Sequence, residues 1–101
     1  MEPSMSLDEA EAVVATKTMP KVTAELIKGK INVVDYTSHG HTTVCFVTMR
    51  NGFKFVGTST PVSPANYDPE VGKRHAFDNA FRQIWTHEGY LLRERLAAEA
   101  A

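Results

Sequence analysis

Thr43-Val44-Cys45-Phe46-Val47-Thr48-Met49, then Arg50-Asn51-Gly52, then Phe53-Lys54-Phe55-Val56-Gly57-Thr58-Ser59: the reading of this stretch decides the fold. Both flanks are rich in β-branched and aromatic residues, and an Asn-Gly pair lies between them. That pair is the strongest short-range hairpin signal, because a type I′ turn needs positive φ at both central positions and Asn and Gly reach that region most cheaply. With Asn51 and Gly52 as the turn, Arg50 faces Phe53, Thr48 faces Phe55, Phe46 faces Gly57 and Val44 faces Ser59 on one side of the ribbon. Cys45, Val47, Met49, Lys54, Val56 and Thr58 take the other side. Both sides are then substantially apolar, so one can accept a helix of this chain and the other needs more of the chain or a second copy.

The helix that covers the ribbon begins at Asp68-Pro69-Glu70, an N-cap acceptor followed by proline at the first helical position and an acid in the first turn. Gly72, Ala76 and Ala80 recur at four-residue spacing, a small-residue stripe that lets the helix backbone lie close to a sheet. Phe77, Phe81 and Ile84 widen the stripe into a core face. The pattern predicts a helix from Pro69 to about Trp85, a break over Thr86–Gly89, and a last short helix from Tyr90 to about Leu96.

Outside this region the signals are thinner. Residues 1–18 form an arm, either flexible or helical, with a capping-box pattern at Ser6-Leu7-Asp8-Glu9. Residues 19–101 make a single domain. Thr23 is the predicted N-cap of a short helix whose buried side carries Leu26, Ile27 and Ile31, and Gly29 either ends that helix or sits within it. Asn32–Tyr36 is β-branched and predicts a third strand. Thr37–Thr42 is a polar loop into the hairpin, and the prolines at 61 and 64 fix a second loop. The fold class expected is α+β: a small antiparallel hairpin sheet packed against one long helix, with short flanking helices.

At 101 residues the chain buries a modest core, to which self-association would add. A net charge of −1 and a pI near 6.4 argue against a general nucleic-acid binder and against an acidic DNA mimic. A single cysteine allows no internal disulfide and suits a reducing cytosol. The apolar runs are too short to span a bilayer, and no signal-peptide pattern precedes the domain.

An ordered set of residues carries a resemblance: Val22-Thr23, Asn51-Gly52-Phe53, Gly57-x-Ser59, Pro64-x-Asn66-Tyr67-Asp68, Gly72, Ala76, Ile84-Trp85 and Glu88-Gly89-Tyr90-Leu91-Leu92. Over roughly Pro20 to Leu96 the chain resembles a small tailed-phage family named for gene 49 of one podovirus and gene 66 of another. The resemblance implies a phage or prophage origin, an accessory role in the host cytoplasm and no set of catalytic residues to carry over. It also implies a helix break near Thr86, where family members often carry proline. A second resemblance covers the middle third. Gly57-x-Ser59, Pro64, Tyr67-Asp68, Glu70, Gly72-Lys73 and Ala76 look like the strand-loop-helix segment of phage anti-Thoeris sponge proteins, which sequester cyclic ADP-ribose-type immune signals without cleaving them.

Several residue groups compete for a functional role. Lys73 and Arg74 sit near a helix N-terminus, which favours anions, and Arg82 lies two turns on. With Asn79 and Tyr67 for hydrogen bonds, and Phe81 or Trp85 to stack a base, they describe a nucleotide-phosphate pocket. The plainer alternative is a solvated face on which Asp78 pairs Arg74 or Arg82. His39-Gly40-His41 offers two metal donors, short of a four-ligand set, and no metal or cofactor is expected. Cys45 lies mid-strand among apolar neighbours and is expected to be a small buried residue rather than a nucleophile. Val47, Met49, Val56, Trp85 and Tyr90 are interface candidates for a homo-oligomer, most simply a dimer, while Trp85 and Tyr90 serve equally well as core-sealing residues. The function expected is a non-enzymatic accessory protein acting by binding. It either sequesters a nucleotide-derived immune signal or inhibits or redirects a host protein.

Overall fold

The structure is a computed structural model that describes residues 20–100; the expected arm over residues 1–18 lies outside the described residues. Helix α1 spans Ala24–Lys30, strand β1 Ile31–His39, β2 Thr42–Met49, β3 Lys54–Ser59, and helix α2 Pro69–Ala100, with a single 3-10 turn at Pro64–Asn66. The strands form one antiparallel meander in the order β1-β2-β3. The α+β architecture expected from the sequence is therefore the one observed. Thr23 caps α1, its side chain accepting from the Leu26 amide at 3.1 Å. Asp68 caps α2, its carboxylate accepting from the Glu70 and Val71 amides at 3.0 and 3.4 Å.

The hairpin is where it was expected, but its register is one residue off. Val47 pairs Phe55, Cys45 pairs Gly57 and Thr43 pairs Ser59. Phe46 therefore faces Val56 rather than Gly57. The turn is a three-residue loop: the Gly52 amide donates to the Met49 carbonyl at 2.9 Å, and the Met49 amide to the Phe53 carbonyl at 2.8 Å. Only Gly52 has positive φ there, +92°, so Asn51 stays right-handed and the geometry is a type I turn with a glycine bulge, not type I′. Because side chains alternate, the one-residue slip moves β3 to the opposite partner set. Thr43, Cys45, Val47 and Met49 share the inner face with Phe55 and Gly57, and Val44, Phe46 and Thr48 share the outer face with Lys54, Val56 and Thr58.

Two further expectations are corrected. Thr37–Thr42 is not a loop: β1 runs on to His39, pairs with Thr42, and closes through Gly40-His41. Gly40 has φ +58° and His41 does not share it, the φ pattern of a type II′ turn, which matches the twist of the strands. Nor does the long helix break over Thr86–Gly89. It is continuous for 32 residues, so the predicted last short helix is its final third.

The inner face of β2 and β3 meets α2. Ala76, Ala80 and Ile84 are fully buried there, with Ile27 from α1 and Cys45 and Val47 from β2. Gly57 is what allows the close approach: a Cβ at 57 would collide with the Ala76 carbonyl oxygen and stand 2.5 Å from the Ala80 amide nitrogen. At the other end of the contact, Gly72 leaves room for the buried Thr43 hydroxyl, which lies 2.6 Å from where a Cβ at 72 would be.

Candidate functional site

The end of the sheet that carries the β2–β3 turn is tied to both helices. Arg50 donates twice to the C-terminal end of α1, from its backbone amide to the Lys30 carbonyl at 2.9 Å and from Nε to the Gly29 carbonyl at 2.8 Å. Those carbonyls belong to the last turn of a helix, where acceptors have no intrahelical partner, so Arg50 acts as a C-cap supplied by another element. Lys30 then reaches α2, its Nζ 2.7 Å from Glu88 Oε2. The Glu88 side chain keeps only 15% of its exposure, which makes this the most buried of the ion pairs among the described residues.

Between these ties opens a cleft of about 510 Å3. Met49, Phe53, Phe55, His87, Tyr90 and Leu91 supply its apolar lining, and Lys30, Arg50, Asn51 and Glu88 its polar atoms. The rings are not stacked on each other: Phe55 meets Phe53 and His87 edge-on, each at 5.0 Å between centroids. Phe55 itself is buried, so the rings open to a third planar group are those at the rim. Phe53 is 56% exposed and Tyr90 69%, so the rim is accessible. His87 Nδ1 lies 2.8 Å from the Gln83 carbonyl oxygen, so Nδ1 carries the proton and Nε2 is the acceptor of the neutral ring. Lys30 is neutralised by Glu88, whereas Arg50 makes no ion pair among the described residues. The cleft is thus apolar and aromatic, and Arg50, held through Nε by the Gly29 carbonyl, lines it without a carboxylate partner among the described residues.

The residues that the sequence groups into a phosphate pocket are dispersed. Nine residues on a helix is half a turn out of phase, so Lys73 and Arg82 point to opposite sides of α2. Lys73 leans over the Tyr36 ring of β1, 5.8 Å from its centroid, and lies 3.6 Å from Glu70. Arg74 is an exposed partner of Asp78 at 3.4 Å, which is the solvated-face alternative for that residue, and Arg82 is exposed. The Asn79 side chain is engaged by β3, its Oδ1 accepting from the Thr58 amide at 3.1 Å. Tyr67 is at the far end of the sheet, its ring 4.9 Å from His41 at the β1–β2 turn.

The interface candidates divide as well. Val47 and Met49 are in the core. Trp85 is partly buried against that core, its ring 6.0 Å from Phe81. Val56 is exposed on the outer face, and Tyr90 is on the rim of the cleft. No cluster of three or more metal-donor side chains occurs among the described residues. Cys45 is fully buried, and burial pushes its thiol above the usual range, as it does the phenol of Tyr36, its neighbour across the strand pair.

Sequence reasoning missed the cleft because its walls come from three separate stretches of the chain, at residues 30, 49–55 and 87–91. The available signal was His87 and Tyr90 at i,i+3 on a helix, together with an aromatic, Phe53, directly after a tight turn.

A three-stranded meander under one long helix, with an aromatic cleft beside its turn, defines a small α+β protein. The chain belongs to the phage protein (N4 Gp49/phage Sf6 gene 66) family, whose model matches residues 11–96. No curated protein and no solved structure matches it. Among the described residues, no helix is long and apolar enough to cross a membrane.

Proposed function

We propose that this phage protein acts by binding, holding in the Phe53–His87–Tyr90 cleft a small ligand that carries a planar ring and a negative group. A nucleotide-derived signal of the infected cell, sequestered in the host cytoplasm without turnover, fits that description. The observation that carries the reading is the pairing of accessible aromatic rings with the Arg50 guanidinium, which has no carboxylate partner among the described residues, in a cavity of about 510 Å3, the size range of small-molecule sites. Ring faces stack on bases, and a guanidinium fork suits a phosphate.

Calorimetry with 3′,5′-cyclic AMP, cyclic di-AMP and cyclic ADP-ribose tests it. At least one should bind with a Kd of about 1 μM or tighter, or about −8 kcal/mol. Phe53→Ala and Arg50→Ala should each weaken that binding at least tenfold, with Arg74→Ala and Arg82→Ala unchanged. Loss of binding in the last two variants alone would place the ligand on the helix face instead. No heat with any of these probes would remove the reading.

A second reading, a module that binds a host protein, draws on the outer sheet face. There Val33 and Val56 are each 43% exposed and flank the half-buried Phe46. Val56→Lys, judged by capture of a single stoichiometric host protein with the parent chain and its loss with the variant, distinguishes the two.

A further inference from the structure

The two edges of the sheet are treated differently. On β3, every second residue turns its backbone groups away from β2, and α2 reaches around to meet them. Asn79 Oδ1 accepts from the Thr58 amide at 3.1 Å, and Gln83 Nε2 donates to the Val56 carbonyl at 2.8 Å. Asn79 and Gln83 are also hydrogen-bonded to each other at 3.3 Å, so the edge is closed by a linked pair of amides.

Among the described residues, nothing comparable guards β1. It is the longest strand, nine residues, and among the described residues only β2 packs broadly against it. Asn32, Val33 and every residue from Asp35 to His39 are exposed. Of the devices that normally blunt a free edge, β1 has a register irregularity at its start, between Ile31 and Val33, and one charge, Asp35; Val34–Ser38 is regularly paired with β2 and contains no proline and no lysine. α2 lies over β2 and β3 but not broadly over β1, so Tyr36 and Ser38 are also open on the helix side of the sheet.

We propose that the β1 edge pairs antiparallel with β1 of a second copy about a two-fold axis at Tyr36, making a continuous six-stranded sheet. The register follows from the ladder. His39 and Thr42 flank a two-residue turn and form a hydrogen-bonded pair, so His39, Thr37, Asp35 and Val33 spend their backbone groups on β2. Val34, Tyr36 and Ser38 therefore aim theirs outward. Of the two-fold pairings these residues allow, an axis at Asp35 would set two carboxylates face to face, an axis at Val34 would leave Ser38 unpaired, and an axis at Thr37 would set Val34 opposite Gly40 of the turn, outside the strand. The axis at Tyr36 pairs Val34 with Ser38 of the second copy and Tyr36 with itself, roughly six new backbone hydrogen bonds by the antiparallel pattern. It sets Asp35 opposite Thr37 on the outer face, a polar contact without repulsion. A second copy suits the edge better than a foreign strand, because isologous pairing closes both open edges at once. The assembly also sets the two α2 helices on one face of the joined sheet. The paired β1 strands become the floor of a groove between them, with Lys73 of each copy beside the Tyr36 rings.

The Asp35–Thr37 contact makes the test specific to this register. Sedimentation equilibrium of the full chain over a hundredfold concentration range should show a dimer. Thr37→Asp, which opposes a like charge to each Asp35, should raise the dimer dissociation constant at least tenfold. Thr37→Lys, which offers Asp35 a counter-ion, should lower it, and added salt should erase that gain. Circular dichroism confirms that both variants fold, since Thr37 is exposed. A chain monomeric throughout, a dimer indifferent to Thr37→Asp, or two variants that weaken it equally would overturn the proposal. So would a dimer lost with Val56→Lys and kept with Thr37→Asp, which would put the contact on the outer sheet face.

Discussion

At the scale of single residues, Gly57 is the position with least latitude. It lies on the inner face opposite Cys45, and the backbone of α2 passes directly over it. The atoms a methyl group would meet are a carbonyl oxygen and an amide nitrogen inside a helix, not the ends of flexible side chains. They cannot move without shifting the whole turn from Ala76 to Ala80. Overpacking a core usually costs 1–3 kcal/mol, and a block against rigid backbone belongs at the upper end. Gly57→Ala should therefore lower the urea-unfolding free energy by about 3 kcal/mol. Gly29→Ala is the control: its Cβ meets nothing, and it should be neutral or slightly stabilising, since alanine suits a helix interior better than glycine. Thr43 is constrained in another way. Its Oγ1 is buried without a hydrogen-bond partner among the described residues and occupies the space that Gly72 leaves, so polarity is tolerated there for shape.

At the scale of elements, the β3 edge makes a test of how a helix can finish a sheet. If Asn79 protects β3 by accepting from Thr58, then Asn79→Ala should speed hydrogen exchange at the Thr58 amide roughly fivefold, the equivalent of about 1 kcal/mol for one hydrogen bond. Asn79→Asp, which keeps an acceptor oxygen, should leave most of that protection. Two-dimensional NMR exchange rates read this directly, and equal acceleration in both variants would mean that the amide is shielded by packing alone. The same scale shows what the sequence could specify. Asn51-Gly52 announced a reversal, but the pair serves a two-residue type I′ turn and a three-residue bulged turn equally well. What selects the second is remote: Arg50 is drawn out of the strand by the Gly29 and Lys30 carbonyls of α1, a contact that no local pattern carries. Gly40-His41 did carry a local signal, glycine at the first central position, but polar neighbours hid it among apparent loop residues. Gly89 suggested a break worth about 1 kcal/mol, and packing overrode it. Glu88 is paired with Lys30, His87 packs edge-on against Phe55, and Leu92 contacts the core, so helical geometry is held on both sides of the glycine.

At the scale of the whole molecule, α2 is longer than what it covers. Thirty-two residues at about 1.5 Å each extend roughly 48 Å, whereas the longest strand, nine residues, extends only about 30 Å. The contacts along the helix show where support ends. Ala76 to Ile84 are anchored in the core, Glu88 is tied to α1, and Leu92 is the last side chain packed against the core cluster. Beyond it, Arg93-Glu94-Arg95 and residues 97–100 are exposed, and only Leu96 is half-buried. A helical segment this short has little stability without tertiary contacts, because nucleation is costly and each added turn contributes little. Its hydrogen bonds persist only as an extension of the anchored turns, so they should open locally without the sheet coming apart. Hydrogen exchange followed by mass spectrometry should accordingly divide α2 near Leu92, with slow exchange from Ala76 to Glu88 and rapid exchange over residues 94–100. Deleting residues 97–101 should move the unfolding midpoint by no more than about 4 °C, the size of a surface change of about 0.5 kcal/mol in a domain of this length. Slow exchange throughout the terminal turns, or a deletion that unfolds the protein, would mean that they pack against something beyond the described residues, and the supported length of the helix would have to be redrawn.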